Sequence, residues 1–127
     1  LSALCRGIKR KLRPGGWVAH AIDNSDHFSR ADPSVSRLQF LTWSRRKHEF
    51  FWRMAGDGEN RLRHHEYADL FQRTGYEVVA SKCLVHERAL RELKSLNLHP
   101  HFGDMTPEQL AAVTSWYVLR AGYVEAH

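Results

Sequence analysis

The sequence predicts one α/β domain, a small sheet flanked by helices, and three observations carry that expectation. A stretch with one apolar helical face ends at Pro14-Gly15-Gly16. A short apolar run, Trp17 to Ile22, follows at once. Two further strand-like runs, Tyr76–Val85 and Ser115–Gly122, each come after helical sequence. The chain has 127 residues, enough for a single core without disulfide staples. Its 43% hydrophobic and 26% charged content excludes a disordered or collagen-like chain.

Leu1, Leu4, Cys5, Ile8 and Leu12 fall on one face of a helix, with Arg6, Lys9, Arg10, Lys11 and Arg13 mostly off it. Pro14 and the two glycines stop that helix, and its basic last turn favours the carbonyl end of the helix dipole. WVAHAI shows no clean alternation, so the strand at 17–22 reads as covered on both faces and as needing a parallel neighbour. Residues 24–34 are polar, with Asp32-Pro33 as a helix-start signal. One or two helices are expected within 34–54, where the period breaks at Ser44-Arg45-Arg46-Lys47. Gly56-Asp57-Gly58 reads as a loop. Tyr67, Leu70, Phe71 and Thr74 predict a helix over 63–74, closed by Gly75. Residues 86–96 favour a helix by propensity. Thr106-Pro107-Glu108-Gln109 is a capping box, opening a short helix to about Val113.

The formal net charge is +5, and its distribution is uneven. Residues 1–63 hold 13 Lys/Arg against 6 Asp/Glu, while residues 64–127 hold 6 against 8. A basic first half admits a nucleic-acid or acidic-partner reading beside the plainer one of solvated helix faces. No apolar run reaches the roughly 20 residues of a membrane span. Two isolated cysteines, Cys5 and Cys83, suit a reducing, cytoplasmic setting. The chain opens on Leu1 with neither an initiator Met nor a signal peptide, as a piece of a longer chain or a processed product would.

The segment KLRPGGWVAHAI, residues 11–22, resembles the helix, Leu-x-Pro-Gly-Gly turn and fifth strand of class I S-adenosylmethionine-dependent methyltransferases. Further pieces follow in the family's order: Asp23-x-x-Asp26-His27-Phe28, then Asn60-Arg61-Leu62-Arg63 before a helix ending Thr74-Gly75-Tyr76, then a closing Trp-Tyr-Val-Leu-Arg strand at 116–120. The resemblance covers nearly the whole chain. It implies the C-terminal, substrate-side half of such a domain: a partial Rossmann-like fold with a three-stranded mixed sheet in the order 17–22, 115–121, 76–85. The family holds its cofactor with a glycine-rich loop after its first strand and an acidic residue ending the second. Neither is supplied here, and Gly56-Asp57-Gly58 follows no apolar strand. The chain alone is therefore expected to lack the S-adenosylmethionine site and independent activity.

The resemblance implies methyl transfer to a small molecule, an in-line displacement that needs an oriented nucleophile and often a base. His27 is the base candidate, since imidazole titrates near neutrality and Asp23 or Asp26 stands by to orient it. The alternative is that Asp26 caps the next segment and His27 only packs or faces solvent. Asn60, Arg61 and Arg63 are candidate substrate residues, because guanidinium groups pair bidentately with carboxylate and phosphate. The competing reading is a structural clasp at the helix start. Nine histidines, His64-His65 and His99-Pro100-His101 among them, show no zinc spacing. Trp43, Phe50, Phe51 and Trp52 suit a core, or the wall of a substrate pocket. If strand 17–22 lacks its parallel neighbour, its bare edge should lead the chain to self-associate, swap elements, or cover that edge with its own helices. The rival function is a non-catalytic basic module, or a partner subunit, contacting nucleic acid or another acidic partner.

Overall fold

The structure is a computed structural model, and it describes residues 1–55 and 60–122. The Gly56-Asp57-Gly58 loop lies outside the described residues. Strands β1 (Trp17–Asp23), β2 (Tyr76–Val85) and β3 (Ala112–Ala121) form one sheet in the order β1-β3-β2. Trp17 pairs with Arg120 and Asp23 with Thr114 on one side of β3, while Tyr76 pairs with Ala121 and Val85 with Ala112 on the other. The expected order is found, but the expected mixed sheet is not. Both ladders are antiparallel, because β3 runs against β1 and β2 and stands between these two co-directional strands.

Helix α1 (Ser2–Lys11) ends as its sequence dictates, with Lys9, Arg10 and Lys11 in the last turn. Gly15 takes a φ of 73°, in the left-handed region that glycine enters without cost. A Cβ on Gly16 would stand 2.8 Å from the Arg13 carbonyl oxygen. The turn is locked to β3 by Gly15 N–H donating to Ala121 O (3.2 Å) and Ala121 N–H donating to Gly16 O (2.8 Å). The Pro-Gly-Gly turn thus sets where β1 enters the sheet.

Helix α4 (His64–Arg73) lies on the same face of the sheet as α1. Cys5 of α1 and Tyr67, Leu70 and Phe71 of α4 meet Tyr76, Tyr117, Leu119 and Ala121 in one buried cluster. Val18, His20 and Ile22 of β1 are only half-buried against this layer, and Trp17, Ala19 and Ala21 are exposed. The strand at 17–22 is therefore not covered on both faces, since both flanking helices sit on one side. Its apolar run spends its small residues on the open face, where Trp17 (58% exposed), Trp116 (40%) and Val118 (37%) also stand.

The second half of the core is built by short elements. Residues 34–38 are turn rather than helix, because Asp32 Oδ1 accepts from both the Ser34 backbone N–H (2.9 Å) and the Ser34 hydroxyl (2.7 Å). A 3₁₀ turn (Gln39–Thr42) and helix α3 (Arg45–Ala55) follow. Ser44 starts α3, its hydroxyl oxygen accepting from the Lys47 N–H (3.2 Å), so the break in period there is a helix start. A one-turn helix α2 (Phe28–Ala31), not expected from sequence, precedes them. Helix α5 (Glu87–Glu92) continues into a 3₁₀ turn (Leu93–Ser95), another 3₁₀ turn covers Pro100–Phe102, and the Thr106 capping box opens α6 (Pro107–Leu110). Leu38, Phe40, Leu41, Phe102 and Leu110 are the large buried side chains of this second cluster. Among the described residues no helix is long and apolar enough to cross a membrane.

Candidate functional site

The loop leaving β1 is fixed by buried polar contacts. Asn24 donates from its backbone N–H to Val113 O (2.8 Å) and from Nδ2 to Ala112 O (3.2 Å) and Ser115 Oγ (2.7 Å). Asp23 is engaged with Ser25 and with Arg30, so its carboxylate is committed to its own loop. These contacts, with burial opposing them, hold its pKa below the usual value.

Asp26 is fully buried, and its Oδ1 accepts from the Phe28 N–H at 2.9 Å, an Asx turn leading into α2, whose N-cap is His27. Its Oδ2 has no hydrogen-bond partner. Burial pushes its pKa up, with the Phe28 and Phe40 backbone N–H groups and the neighbouring His27 pulling the other way. His27 is the half-buried residue at the start of α2, directly beside this carboxylate in the chain. Phe28, next along, packs its ring against Trp43 (6.2 Å between centroids) and Phe51 (6.3 Å). The aromatic set is thus a satellite cluster that holds the His27 loop against α3, with Phe50 and Trp52 left exposed.

Arg63 and Arg61 part company. Arg63 is fully buried, with Nη2 donating to Asn24 O (2.8 Å), Nη1 to Leu110 O (3.3 Å) and Nε to Arg61 O (3.2 Å). Its guanidinium also lies over the Phe40 ring, 5.4 Å from the centroid. These contacts make Arg63 a clasp joining the end of β1, the end of α6 and the 40s segment. Its backbone N–H donates to Glu66 Oε2 (2.8 Å), half of the capping box that opens α4.

Arg61 is half-buried at the mouth of a cleft of about 390 Å³, with Asn60, His48, Glu66 and His101 among the walls. Its Nη1 donates to Trp43 O (2.6 Å) and Phe40 O (3.3 Å). Asn60 uses Oδ1 to accept from Tyr67 Oη (2.8 Å) and Leu62 N–H (3.0 Å). Arg63, His27 and Asp26 are not among the walls of this cleft. The candidates therefore divide into a loop pair, His27 and Asp26, with Arg63 tied to the same loop through Asn24, and a cleft pair, Asn60 and Arg61.

A polar network that no sequence spacing announced lies between them. Ser115 Oγ accepts from Asn24 Nδ2 and lies 3.0 Å from His64 Nδ1. Tyr117 Oη lies 2.8 Å from the same nitrogen, donates to His64 O, and stacks on the imidazole. Burial lowers the His64 pKa, and His65 adds to the effect. A serine within reach of a histidine is the arrangement of an activated nucleophile. Ser115, however, is fully buried and already takes the Asn24 amide, so the pair is a structural network. Residues 24, 64 and 115 are far apart in the chain; the β1·β3 register brings 24 to 115, and the packing of α4 on the sheet brings 64.

No protein-family model matches the chain, and no curated protein matches it either. The strand carboxyl ends lead into Asn24, His86 and Gly122, while the positive-φ glycines, Gly15 and Gly75, precede the amino ends of β1 and β2. Among the described residues no glycine-rich turn joins a strand's carboxyl end to a helix, so these residues do not fit S-adenosylmethionine in the way the resembled family holds it. Nor do three His, Cys, Asp or Glu side chains converge among them as a metal site would need.

Proposed function

We propose that this chain is the substrate-side, C-terminal half of a partial Rossmann-like methyltransferase domain, whose parent transfers a methyl group from S-adenosylmethionine to a small-molecule acceptor. One observation carries the reading. A Pro-Gly-Gly turn feeds a strand whose sheet neighbour is the last described strand, inserted antiparallel between it and a second strand that runs the same way as the first. The strand order is the one the ordered motifs lead to. It is not a simple meander, and it leaves one edge of β1 available for a parallel neighbour. The cofactor contributes the methyl group; what this chain contributes is the loop after β1, where open α/β sheets bind ligands. There His27 takes the acceptor's proton and Asp26 positions it.

The isolated chain is inactive in this reading. Calorimetry with S-adenosylmethionine should show no micromolar binding to it, and the coding sequence just upstream of Leu1 should specify a strand, a Gly-x-Gly turn and a helix. In the full-length parent, His27→Ala should lower methyl transfer by about 10²-fold or more. Unchanged transfer removes His27 from the mechanism, and micromolar cofactor binding by the isolated chain removes the half-domain reading. On the same reading β1 pairs with a second copy when its neighbour is absent, in the compartment the two free cysteines suit, a reducing cytoplasm.

A second reading has one observation of its own. Arg6, Lys9, Arg10 and Arg13 line a single groove of about 280 Å³ at the end of α1. Clustered cations of this kind suit a non-catalytic module bound to nucleic acid or another acidic partner, with binding that weakens steeply as salt rises.

A further inference from the structure

The cleft beside Arg61 has the chemistry of a ligand site separate from the His27 loop. The segment 40–43 carries both of its key walls. Arg61 is anchored by Nη1 to the carbonyls of Phe40 and Trp43, and the His48 ring rests 6.2 Å from Phe40 and 6.5 Å from Trp43. The Arg61 guanidinium lies over the Phe102 ring at 5.3 Å, which fixes its plane. Its anchoring bonds all leave from Nη1, so Nε and Nη2 make no hydrogen bond among the described residues.

Among the described residues no carboxylate makes an ion pair with Arg61. The two acids of the cleft are committed elsewhere: Glu49 to Arg45 (2.8 Å), and Glu66 to the Arg63 backbone N–H (2.8 Å). Asn60 spends its side-chain oxygen on Tyr67 and Leu62, which leaves its Nδ2 as a donor. The open polar capacity here is thus a fork of guanidinium donors and an amide donor, and such a set calls for an acceptor bearing negative charge.

We propose that this cleft binds the carboxylate or phosphate group of a small molecule, with Arg61 as its pairing cation and Asn60 as a second donor. The anion site stands on these residues alone. Only the identification of its ligand as the methyl acceptor rests on the proposed function.

His48 reports on occupancy. Burial and the Arg61 charge hold its pKa below the usual value, and Glu49 opposes them. Arg45, Arg61, Glu49, Glu66 and His101 are the other charged or titratable walls. An anion on Arg61 cancels part of that field. Titrating the chain with inorganic phosphate, and following the histidine rings by NMR across pH, should raise the His48 midpoint by about half a pH unit or more. The His20 midpoint, outside the cleft, should stay in place. Arg61→Gln should abolish the response. Because that variant also loses two backbone contacts, Glu49→Gln supplies a second arm: removing a like charge from the wall should lower the half-saturating phosphate concentration about two-fold. Acetate in place of phosphate separates the sources, the tighter ion naming the ligand's group. An unmoved His48, an equal shift in Arg61→Gln, or weaker phosphate binding in Glu49→Gln overturns the proposal. None of these readouts depends on methyl transfer, so a parent that fails to methylate leaves the anion site standing and removes only the acceptor's identity.

Discussion

Two buried residues show opposite ways of placing charge inside this fold. Arg63 is a cation whose donors go to the carbonyls of Asn24, Arg61 and Leu110. Arg63→Met keeps much of the volume and strands those carbonyls, each costing about 1–3 kcal/mol when buried without a partner. Urea unfolding should show a loss of about 3 kcal/mol or more with an unchanged slope. If the loss is within a few tenths, Arg63 is no clasp. Asp26 is the reverse, an acid whose Oδ2 has no partner and whose pKa burial raises above its ordinary 3.8. A raised acid contributes stability that is complete below its ordinary pKa and is lost as pH climbs through the raised one. Asp26→Asn keeps Oδ1 as the Phe28 acceptor and removes the buried charge. It should therefore raise stability by about 1 kcal/mol at pH 7 and give no gain at pH 3, as urea midpoints at the two pH values would show. In the parent enzyme the same substitution should depress methyl transfer if Asp26 orients His27, and leave it alone if the carboxylate only forms the turn into α2.

At the scale of elements, what the chain revealed in advance was what neighbouring residues decide among themselves. The apolar stripe of α1, the Pro-Gly-Gly stop, the Gly75 end of α4 and the Thr106 capping box are all local, and each lies within a residue or two of its expected place. The β2 limits, Tyr76–Val85, also agree with the expectation. Most of the failures came where distant contacts decide; the one at Asp32-Pro33 is local. WVAHAI looks buried because five of its six residues are Trp, Val, Ile or small alanines, yet its burial depends on which face α1 and α4 choose, and that choice is not written in six residues. Asp32-Pro33 carried a helix-start signal, but the Ser34 hydroxyl and N–H turned the aspartate into a turn former. Of the candidate site, the residue types at 26, 27, 60, 61 and 63 were visible, while their division between a loop and a cleft was not. That division follows from Arg63 reaching Asn24 across 39 residues of sequence and from Arg61 reaching Trp43 across 18.

For the molecule as a whole, the open side of the sheet sets the behaviour in solution. One face of β1 and β3 carries Trp17, Ala19, Ala21, Trp116 and Val118, and β1 has a free edge. Unpaired strand edges bordered by apolar side chains act as templates for another strand, and folded proteins blunt them with lysine or proline. Among the described residues nothing blunts this one, because the charged residues of β1 are confined to Asp23 at its end and the titratable side chain within it, His20, is turned to the helix-covered face and stacked on Phe71 at 5.5 Å. Sedimentation at rising concentration should show the isolated chain passing from monomer to a two-fold dimer joined at β1. Ala19 is exposed and opposite Val118 in the ladder, so Ala19→Lys adds a charge to the edge without disturbing the core. That variant should stay monomeric over the same range and unfold within about 0.5 kcal/mol of the parent chain. A wild-type chain that sediments as a monomer throughout would mean that the edge is tolerated in water, and self-association through β1 would then have no place in the account of this fold.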